Sequence, residues 1–482
     1  MTNSIIEKIM LGSESHPHKL CLVDNTKSLT YSQIWQEIVS LAHYFRKICR
    51  PSSCIVVECT QDINFVLYAF AIQLSGNIFV PTEKGCSEER IISIIEDTDS
   101  PYYIYHTTIH TTATPLSIPA DLSKTSEWQF SFPAGNQIAE ILYSTGTTGK
   151  SKGIVLTHSS IISVAENVIH GVEMKNNNVE LIPMPLSHSH GLRRLYANML
   201  NGSTVVLMDG VTFIKQVFDK IDNYGVTSID LAPSALDILL KLSKTKLSDY
   251  SNQIDYIQLG GAPLKEDSKN KLCTLLPNTR LYNFYGSTEA GCSCILNFNK
   301  ENRPNCIGRP TIHSHFIVVD SEKNIIHSDC EHPGFLACKG SMVMEGYYKQ
   351  PELTSQVMRD GYIYSTDVGY IDEDGYIYIL GREDDVINYC GIKIAPEEIE
   401  DVALKIPEII DCACVPIPDE LGGQIPKLFI VVKKDIDTDE AIKTTNQFLI
   451  DNLDKNKIPR IIEPINTIPR SYNGKILRRM LR

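Results

Sequence analysis

The sequence predicts an α/β protein: a large N-terminal domain of α/β subdomains with a β-rich subdomain, then a small α+β C-terminal domain. Amphipathic helical patterns alternate with short β-branched runs through most of the chain, which is typical of α/β folds. Tyr and Ile then alternate around tight turns in residues 340–382, which indicates a β-rich part. At 482 residues the chain is too long for one core, so we expect two or three subdomains.

The individual elements follow from local periodicity. Near the N terminus we expect helices at 32–45, 64–74 and 87–97 and strands at 55–57 and 102–105. In the middle of the chain we expect helices at 161–168 and 236–242 and strands at 180–184, 203–208, 226–231 and 257–259. Asp374-Gly375 between Tyr/Ile runs predicts a hairpin, and Pro396 predicts the start of an amphipathic helix.

Composition excludes several classes of protein. With 43% hydrophobic and 21% charged residues the chain is an ordinary globular protein, and its net charge of -13 argues against nucleic-acid binding. The N terminus has no signal-peptide pattern and no run of 18 apolar residues occurs, so we expect no transmembrane segment and a cytoplasmic location. The 14 cysteines lack metal-binding spacing, and Cys292/Cys294 and Cys412/Cys414 are expected to be reduced core residues.

Residues 141–158, ILYSTGTTGKSKGIVLTH, are the most informative stretch. Two apolar runs flank a loop of Ser, Thr, Gly and Lys, so the pattern predicts strand, polar loop and strand. Small residues let backbone N–H groups approach an anion closely, and hydroxyls and lysines add donors and charge. We therefore predict a polyphosphate site at Ser144, Thr145, Gly146, Thr147, Thr148, Gly149 and Lys150; the alternative is a flexible surface turn.

The loop is not the P-loop of GTPases and ATPases, because Ser144 stands where that pattern needs a glycine. YSTGTTGKSKG instead resembles the phosphate-binding motif of the adenylate-forming (AMP-binding) superfamily. That superfamily includes acyl-CoA synthetases, aryl-CoA ligases, firefly luciferase and the adenylation domains of peptide synthetases. Its other motifs have counterparts in order along almost the whole chain.

The resemblance assigns further site residues. PLSHSHGL, residues 185–192, resembles the acyl-pocket motif, which implies pocket roles for His188 and Gly191. A histidine in a Ser-rich turn is otherwise a surface or capping residue. GGAPL and LYNFYGSTEAG resemble the two walls of the adenine slot, which implies nucleotide contacts for Gly261, Ala262, Pro263, Tyr285, Gly286 and Ser287. Thr288 and Glu289 then stand where the family contacts phosphate and Mg²⁺.

The C-terminal third carries the remaining motifs. By resemblance Asp367 accepts hydrogen bonds from both ribose hydroxyls, with Arg382 as its nucleotide-contacting neighbour. Asp384 corresponds to the hinge, which implies an AMP-binding domain at 1–383 and a mobile domain at 384–482. Lys475, after the Asn473-Gly474 turn, matches the catalytic lysine; taken alone it reads as a solvated turn lysine. Gly391 and Lys393 match residues of the thiol step.

This constellation implies a two-step ligase that uses ATP, Mg²⁺ and coenzyme A. A carboxylate is a poor electrophile, so it is first joined to AMP with release of pyrophosphate, and catalysis rests on positioning and charge stabilisation. The C-terminal domain then reorients to let a thiol in. The phosphate loop, Mg²⁺ on Glu289 and Lys475 are expected to serve the first step. A small-molecule carboxylic acid is the expected partner.

Several alternatives remain open from the sequence. PLSHSHGL lacks the Phe-Asp of amino-acid-activating members, which favours a non-amino acid. Arg193 and Arg194 are expected to pair with acidic surface residues; the alternative is a second substrate carboxylate. The phosphopantetheine of an acyl or peptidyl carrier protein is the alternative acceptor. A luciferase-like oxygenase and a non-catalytic acyl- or nucleotide-binding protein are the other classes.

The acceptor is inferred from the end of the chain. Residues 455–482 carry eight basic side chains against Glu463 alone, so we expect this segment to meet phosphate groups of coenzyme A. The ending GKILRRMLR resembles that of acyl- and aryl-CoA ligases. A carrier protein, being acidic, would be drawn to the same basic surface.

Overall fold

The computed structural model describes residues 4–119, 129–144, 152–301, 303–389, 392–419, 423–470 and 476–482. Helices and strands alternate through these ranges. The α-helices are α1 (Ile5–Ser15), α2 (Tyr31–Ile48), α3 (Ile63–Leu74), α4 (Glu88–Asp97), α5 (His158–Gly171), α6 (Ser189–Asn201), α7 (Ile214–Tyr224), α8 (Pro233–Ser243), α9 (Glu266–Leu275), α10 (Pro351–Val357), α11 (Pro396–Ala403) and α12 (Thr438–Asn452). Short 3₁₀ helices occur at Lys246–Tyr250 and Arg478–Met480.

The strands fall into three groups along the chain. The first comprises β1 (Leu20–Val23), β2 (Ser28–Thr30), β3 (Cys54–Glu58), β4 (Ile78–Thr82), β5 (Tyr102–Ile104), β6 (Thr114–Pro115), β7 (Ile138–Ser144) and β8 (Lys152–Thr157). The second comprises β9 (Val179–Ile182), β10 (Thr204–Leu207), β11 (Ser228–Leu231), β12 (Tyr256–Gly260), β13 (Arg280–Ser287), β14 (Gly291–Asn297) and β15 (Cys306–Pro310). The third comprises β16 (Ser314–Val319), β17 (Gly334–Gly340), β18 (Gly346–Tyr347), β19 (Met358–Arg359), β20 (Tyr362–Ile371), β21 (Ile377–Arg382), β22 (Ile387–Tyr389), β23 (Ile392–Ile394), β24 (Ile409–Asp419), β25 (Gly423–Val432) and β26 (Ile461–Pro464).

The largest sheet contains fourteen strands of the described chain, in the order β16-β17-β20-β21-β15-β14-β13-β12-β11-β9-β10-β1-β2, with β19 beside β20. Strands β13, β12, β11, β9, β10 and β1 run parallel to one another. Strands β10, β11 and β12 are buried along their whole length, as parallel strands covered on both faces are. Ligands of such sheets bind beyond the carboxyl ends of the strands, so that edge is where a site is expected.

Two smaller sheets complete the described fold. The order β18-β8-β7-β4-β3-β5-β6 forms one of them, in which β7 and β8, separated in the chain by residues 145–151, pair antiparallel. The other has the order β23-β22-β25-β24, with β26 beside β25, and its core includes Ile399 of α11 and Leu449 of α12. Sheet membership therefore changes between the end of β21 and the start of β22.

Local sequence explains where the helices begin. Thr30 caps α2 by accepting a hydrogen bond from the Gln33 N–H, and the Gln33 side chain accepts one from the Thr30 N–H, a reciprocal capping box. Apolar residues then recur at helical spacing and are buried at Ile34, Ile38, Leu41 and Phe45. Pro396 occupies the first turn of α11, where its missing N–H costs nothing.

The structure confirms the predicted fold class, and most predicted elements are present. The hairpin at Asp374-Gly375 joins β20 to β21, with Gly375 at a φ of +81°. The paired cysteines lie buried on β14 and β24, and every cysteine in the described ranges is free. Helix α6 was not predicted. No described helix combines the length and apolar character needed to cross a bilayer.

Candidate active site

Three segments singled out by the sequence lie at the ends of strands within a group of four adjacent strands. The acyl-pocket segment follows β9, the glycine pair Gly260-Gly261 ends β12, and Thr288 and Glu289 follow β13, while β11 lies between β9 and β12. All four strands are parallel, so their carboxyl ends meet at one edge of the sheet. The topology therefore gathers the predicted acid, adenine and phosphate segments into one place.

Strands β7 and β8 present the predicted phosphate loop. Ser144 is the last residue of β7 and lies opposite Lys152, the first residue of β8. The Lys152 Nζ lies 5.2 Å from the ring centroid of Tyr347, a cation–π distance. The phosphate contacts predicted for Thr145, Gly146, Thr147, Thr148, Gly149 and Lys150 lie outside the described residues, so they stay predictions.

The glycine pair makes an open, flat strand end. A Cβ on Gly260 would lie 2.3 Å from the ring of Phe284, so only glycine fits there. Gly261 follows in the left-handed region at a φ of +83°. Its neighbours Ala262 and Pro263 continue the turn, and Gly261 and Pro263 are exposed. Bare backbone at this edge is suited to the face of a planar ring, as the resemblance implies.

The turn from β13 to β14 carries the predicted phosphate and metal residues. A Cβ on Gly286 would lie 2.0 Å from the carbonyl oxygen of Gly291, so the turn requires glycine. The Thr288 hydroxyl lies 3.0 Å from the Ser189 hydroxyl of α6. The Tyr347 hydroxyl donates to Glu289 Oε1 over 3.0 Å, which fixes that carboxylate.

The residues present fit a magnesium ion that would be bound partly by the protein and partly by the substrate. Mg²⁺ is commonly bound by one or two carboxylates while substrate phosphates and water supply the other ligands. Glu289 offers one such half-buried carboxylate at the predicted phosphate edge. No cluster of three His, Cys, Asp or Glu side chains suited to a metal occurs within the described ranges. Glu289 would hold the ion, which would neutralise charge on the phosphates.

Asp367 and its predicted partner are brought together with Tyr285. Asp367 and Arg382 are opposite each other on β20 and β21, with Arg382 Nε 3.6 Å from Asp367 Oδ1. The Tyr285 hydroxyl donates to Asp367 Oδ2 over 2.5 Å. Burial, together with the negative charge of Asp367, raises the pKa of Tyr285 well above its ordinary value, so the phenol stays a donor. The sequence predicted all three residues but not this hydrogen bond.

The acyl-pocket segment forms the start of α6, with His188 at its N-cap. A Cβ on Gly191 would lie 2.4 Å from the Pro185 carbonyl oxygen, so glycine lets the helix start close to the preceding strand end. The His188 Nε2 lies 3.7 Å from Glu83 Oε1. Burial lowers the pKa of His188, although Glu83 opposes that shift.

His190 is a site residue that the sequence did not single out. Its Nδ1 lies 3.5 Å from the position of a Cβ on Gly261, so the ring faces the glycine wall. Its Nε2 lies 2.8 Å from Oδ2 of the fully buried Asp230 on β11. Phe284 meets the ring edge-on at a centroid distance of 4.7 Å. An aspartate at the end of a buried parallel strand was the signal that could have revealed this pair.

The two arginines after the acyl-pocket motif are both buried, which corrects the expectation that they pair with acidic surface residues. Arg194 donates to both carboxylate oxygens of Glu180 over 2.6 and 2.5 Å. It also donates to Gln258 and to the Tyr256 hydroxyl. Glu180 is itself fully buried, so the Arg194 ion pair belongs to the core.

The predicted hinge region is held by short backbone contacts. The Glu383 N–H donates to the Thr366 carbonyl over 2.7 Å, and Arg482 donates to the Asp384 carbonyl. Lys393 is exposed on β23. Gly391 and Lys475 lie outside the described residues. The domain boundary and the roles of these residues therefore stay predictions.

The basic C-terminal segment is largely neutralised within the chain, which corrects the expectation that it is free to meet phosphate. Arg478 is buried and donates to both oxygens of Glu400. Arg482 lies 2.6 Å from Asp385. Similar ion pairs join Arg470 to Asp411, Arg460 to Asp419 and Lys457 to Glu398. The charge of this segment serves chiefly to fasten it to the C-terminal sheet and to the residues after β21.

Comparison with known proteins identifies the family. The family model for AMP-binding enzymes matches residues 12–348, and the model for the AMP-binding enzyme C-terminal domain matches residues 398–475. The chain belongs to the AMP-binding enzyme family. This family includes the adenylate-forming enzymes that the sequence motifs resemble.

Similar proteins support the same conclusion. Peroxisomal OPC-8:0-CoA ligase 1 of Arabidopsis thaliana is 26% identical over 98% of this chain and 91% of its own length. 4-Coumarate–CoA ligase 3 of Arabidopsis thaliana is 32% identical over 72% of this chain and 63% of its own length. The ATP-bound crystal structure of MatB from Rhodopseudomonas palustris matches with a TM-score of 0.88 at 20% identity, covering 100% of this chain and 98% of its own. This AMP-binding enzyme is an acid–thiol ligase.

Proposed function

We propose that the enzyme activates a non-amino carboxylic acid with ATP to an acyl-adenylate, releasing pyrophosphate, and then transfers the acyl group to the thiol of coenzyme A. The observation that carries the proposal is the convergence of the acid, adenine and phosphate segments at the carboxyl ends of β9, β12 and β13. The paired Tyr285 and Asp367 beside this edge support a nucleotide site. Near full-length similarity to a CoA ligase supports coenzyme A as the acceptor.

The proposed roles follow the sequence resemblance and, for the described residues, agree with their positions. Asp367 accepts from the ribose, with Arg382 beside it, and Gly261, Ala262 and Pro263 lie against the adenine. Glu289 holds Mg²⁺ and Thr288 contacts phosphate. Lys475 stabilises the charge that develops in the adenylation step, and Gly391 and Lys393 act in the thiol step. His188 and Gly191 line the acid pocket, to which the partly buried His190 adds a polar surface.

A second substrate carboxylate is disfavoured at Arg194. The guanidinium already donates to Glu180, Gln258 and Tyr256, and displacing a buried bidentate partner is costly. We therefore propose a monocarboxylic aryl or acyl acid, in keeping with the names 4-coumarate–CoA ligase and OPC-8:0-CoA ligase among the relatives. A cytoplasmic location is also part of the proposal, although one relative is named peroxisomal.

The phosphopantetheine of a carrier protein is the alternative acceptor. Because the C-terminal arginines are mostly paired within the chain, they supply less free positive charge for an acidic carrier than the sequence suggests. The same pairing reduces the charge available to the phosphates of coenzyme A, so the preference for free coenzyme A rests on the similarity to a CoA ligase.

One experiment in two stages tests the proposal. Acid-dependent ATP–pyrophosphate exchange is measured with purified enzyme and Mg²⁺ against a panel of aryl, fatty and dicarboxylic acids, with the acid-free reaction as control. The best acid is then supplied with coenzyme A or with a phosphopantetheinylated carrier protein, and the thioester is quantified. We expect exchange with a monocarboxylic acid and catalytic turnover with free coenzyme A. Exchange absent with every acid, or turnover only with the carrier protein, would contradict the proposal.

A further inference from the structure

The turn that carries Thr288 and Glu289 is held by hydrogen bonds from two different elements. On one side the Met344 N–H donates to the Glu289 carbonyl over 2.8 Å, and the Tyr347 hydroxyl donates to the Glu289 carboxylate. Both contacts come from the short segment around β18. They fix Glu289, the residue proposed to hold Mg²⁺. They do not contact Ser287 or Thr288, which precede it in the turn.

Helix α6 makes the second set of contacts with the turn. The Ser189 hydroxyl lies 3.0 Å from the Thr288 hydroxyl, and Arg193 Nη2 donates to the Ser287 carbonyl. Ser189 and Arg193 are four residues apart, so they lie on the same face of the helix. The helix that begins in the acyl-pocket segment is thereby tied to the turn proposed to contact phosphate and metal.

The burial of Arg193 at this position has a cost in stability. Only 7% of its surface is exposed, and no carboxylate within the described ranges lies within the 4.0 Å of an ion pair. Its neighbour Arg194, by contrast, is paired with Glu180. A buried cation without a close counter-ion is destabilising unless hydrogen bonds satisfy its N–H donors. The carboxylates of Glu140 and Glu289 act on it only from a longer distance.

Direct contact with a substrate does not explain Arg193. The cavity beside it, lined in part by Glu140, Ser189 and Tyr196, encloses about 10 Å³. That is close to the smallest volume that holds one water molecule, so it is too small for a substrate carboxylate. The described contact that remains for the guanidinium is its hydrogen bond to the turn.

We propose that Arg193 is a positioning residue that, together with Ser189, holds the Ser287–Glu289 turn against α6 in the geometry needed for Mg·ATP. The proposal rests on the proposed function, because it assumes that Thr288 and Glu289 face the nucleotide phosphates. Since α6 also begins in the acid pocket, Arg193 links the acid site to the phosphate site. A displacement of about 1 Å in such a turn is enough to lower the rate substantially.

Nucleotide binding without acid gives the test that is independent of turnover. ATP affinity is measured by calorimetry with Mg²⁺ and with EDTA, for wild type, Arg193→Met and Arg193→Lys. We expect Arg193→Met to lose at least about tenfold of the Mg²⁺-dependent affinity, and Arg193→Lys to retain part of it because it keeps a charged donor. In ATP–pyrophosphate exchange kcat should fall by a similar factor while the KM for the acid changes less than about twofold.

Two further variants keep the test decisive. Ser189→Ala removes the other contact from α6 without a buried charge, so it should fold even where Arg193→Met does not, and it should shift Mg²⁺-dependent affinity in the same direction. Tyr196→Phe is the matched control, because it lies on the same helix, donates to Glu140 and does not contact the turn. It should respond to Mg²⁺ as wild type does.

The outcomes separate this inference from the proposed function. Wild-type Mg²⁺-dependent affinity in folded Arg193→Lys and Ser189→Ala would overturn the positioning role, whatever the acid. A loss of the same size in Tyr196→Phe would also overturn it, because the effect would then be general disturbance of α6. Absence of exchange in the wild type itself would instead count against the proposed function.

Discussion

The Asp367 carboxylate is positioned to accept hydrogen bonds. One oxygen accepts from Tyr285, and Arg382 lies near the other. For Asp367→Ala we expect weaker ATP binding by at least about tenfold, because a hydrogen bond to a charged acceptor contributes roughly 1.5–3 kcal/mol and two ribose hydroxyls are proposed to donate. Equilibrium binding of ATP by calorimetry measures the loss.

The matched control for this variant is Tyr285→Phe. It removes the donor to Asp367 but leaves the carboxylate and the aromatic face, so its effect on affinity should be smaller. Nucleotide affinity unchanged in Asp367→Ala would show that the ribose lies elsewhere.

Lys475 is the residue to which we assign charge stabilisation in the first step. We expect Lys475→Ala to abolish acyl-adenylate formation while transfer from a supplied acyl-adenylate to coenzyme A continues, because the second step does not build charge on a phosphoryl group. The two half-reactions are assayed separately, with Lys393→Ala as the reciprocal control. Loss of both half-reactions in folded Lys475→Ala would contradict a role confined to adenylation.

The sequence names candidate residues where a motif fixes their positions, but it does not show the tertiary contacts between them. Tyr285 and Asp367 were named separately, yet they are 82 residues apart and their hydrogen bond depends on how β13 and β20 lie in the sheet. For the same reason the sequence does not single out Asp230, and it places Arg193 with acidic surface residues rather than against the Ser287–Glu289 turn. Their signal, a charge within an otherwise buried element, becomes readable only when burial is known.

The connection between β21 and β22 is the element on which the proposed domain rotation depends. Its residues are held by the Glu383 N–H bond to Thr366 and by Arg482 on the Asp384 carbonyl. Proline at 384 would fix φ near −65° and also restrict Glu383, so it should oppose rotation. We expect Asp384→Pro to retain adenylation and to lose thioester formation. Separate assays of the two half-reactions measure this.

Asp384→Ala is the control for that variant, because it removes the carboxylate but leaves the backbone free to rotate. It should carry out both half-reactions. Wild-type rates of both steps in Asp384→Pro would mean that the boundary is misplaced or that no large rotation is needed.

Most elements could be predicted because their hydrophobic period is clear. Helix α2 reads as an amphipathic helix and was predicted at 32–45. Helix α6 was not predicted, although Leu192, Leu195, Tyr196, Met199 and Leu200 recur at helical spacing, so its period is also present in the sequence. The contacts of the C-terminal arginines, by contrast, could not be predicted, since ion pairs such as Arg478 with Glu400 join residues 78 positions apart.

The whole molecule brings separate stretches of chain together at one sheet edge. Strand β7, which precedes the predicted phosphate loop and belongs to a second sheet, carries a buried acid. Glu140 of β7 is fully buried and accepts from the Tyr196 hydroxyl. Burial raises the pKa of Glu140 from its ordinary 4.5 to about 7, although Tyr196 and Arg193 oppose the shift. A carboxyl in this position is uncharged in the folded protein at pH values where the unfolded chain has already lost its proton.

This difference makes stability depend on pH in a defined direction. Because the folded state holds its Glu140 proton longer, the contribution is fully present below about pH 4.5 and is lost as the pH rises through about 7. Glutamine at this position stays neutral throughout. We therefore expect the stability of wild type relative to Glu140→Gln to fall between about pH 5 and pH 8, by at most about 3 kcal/mol. Thermal unfolding of both proteins across this range measures the difference, and a difference that is constant or rises with pH would show that Glu140 is ionised in the folded protein.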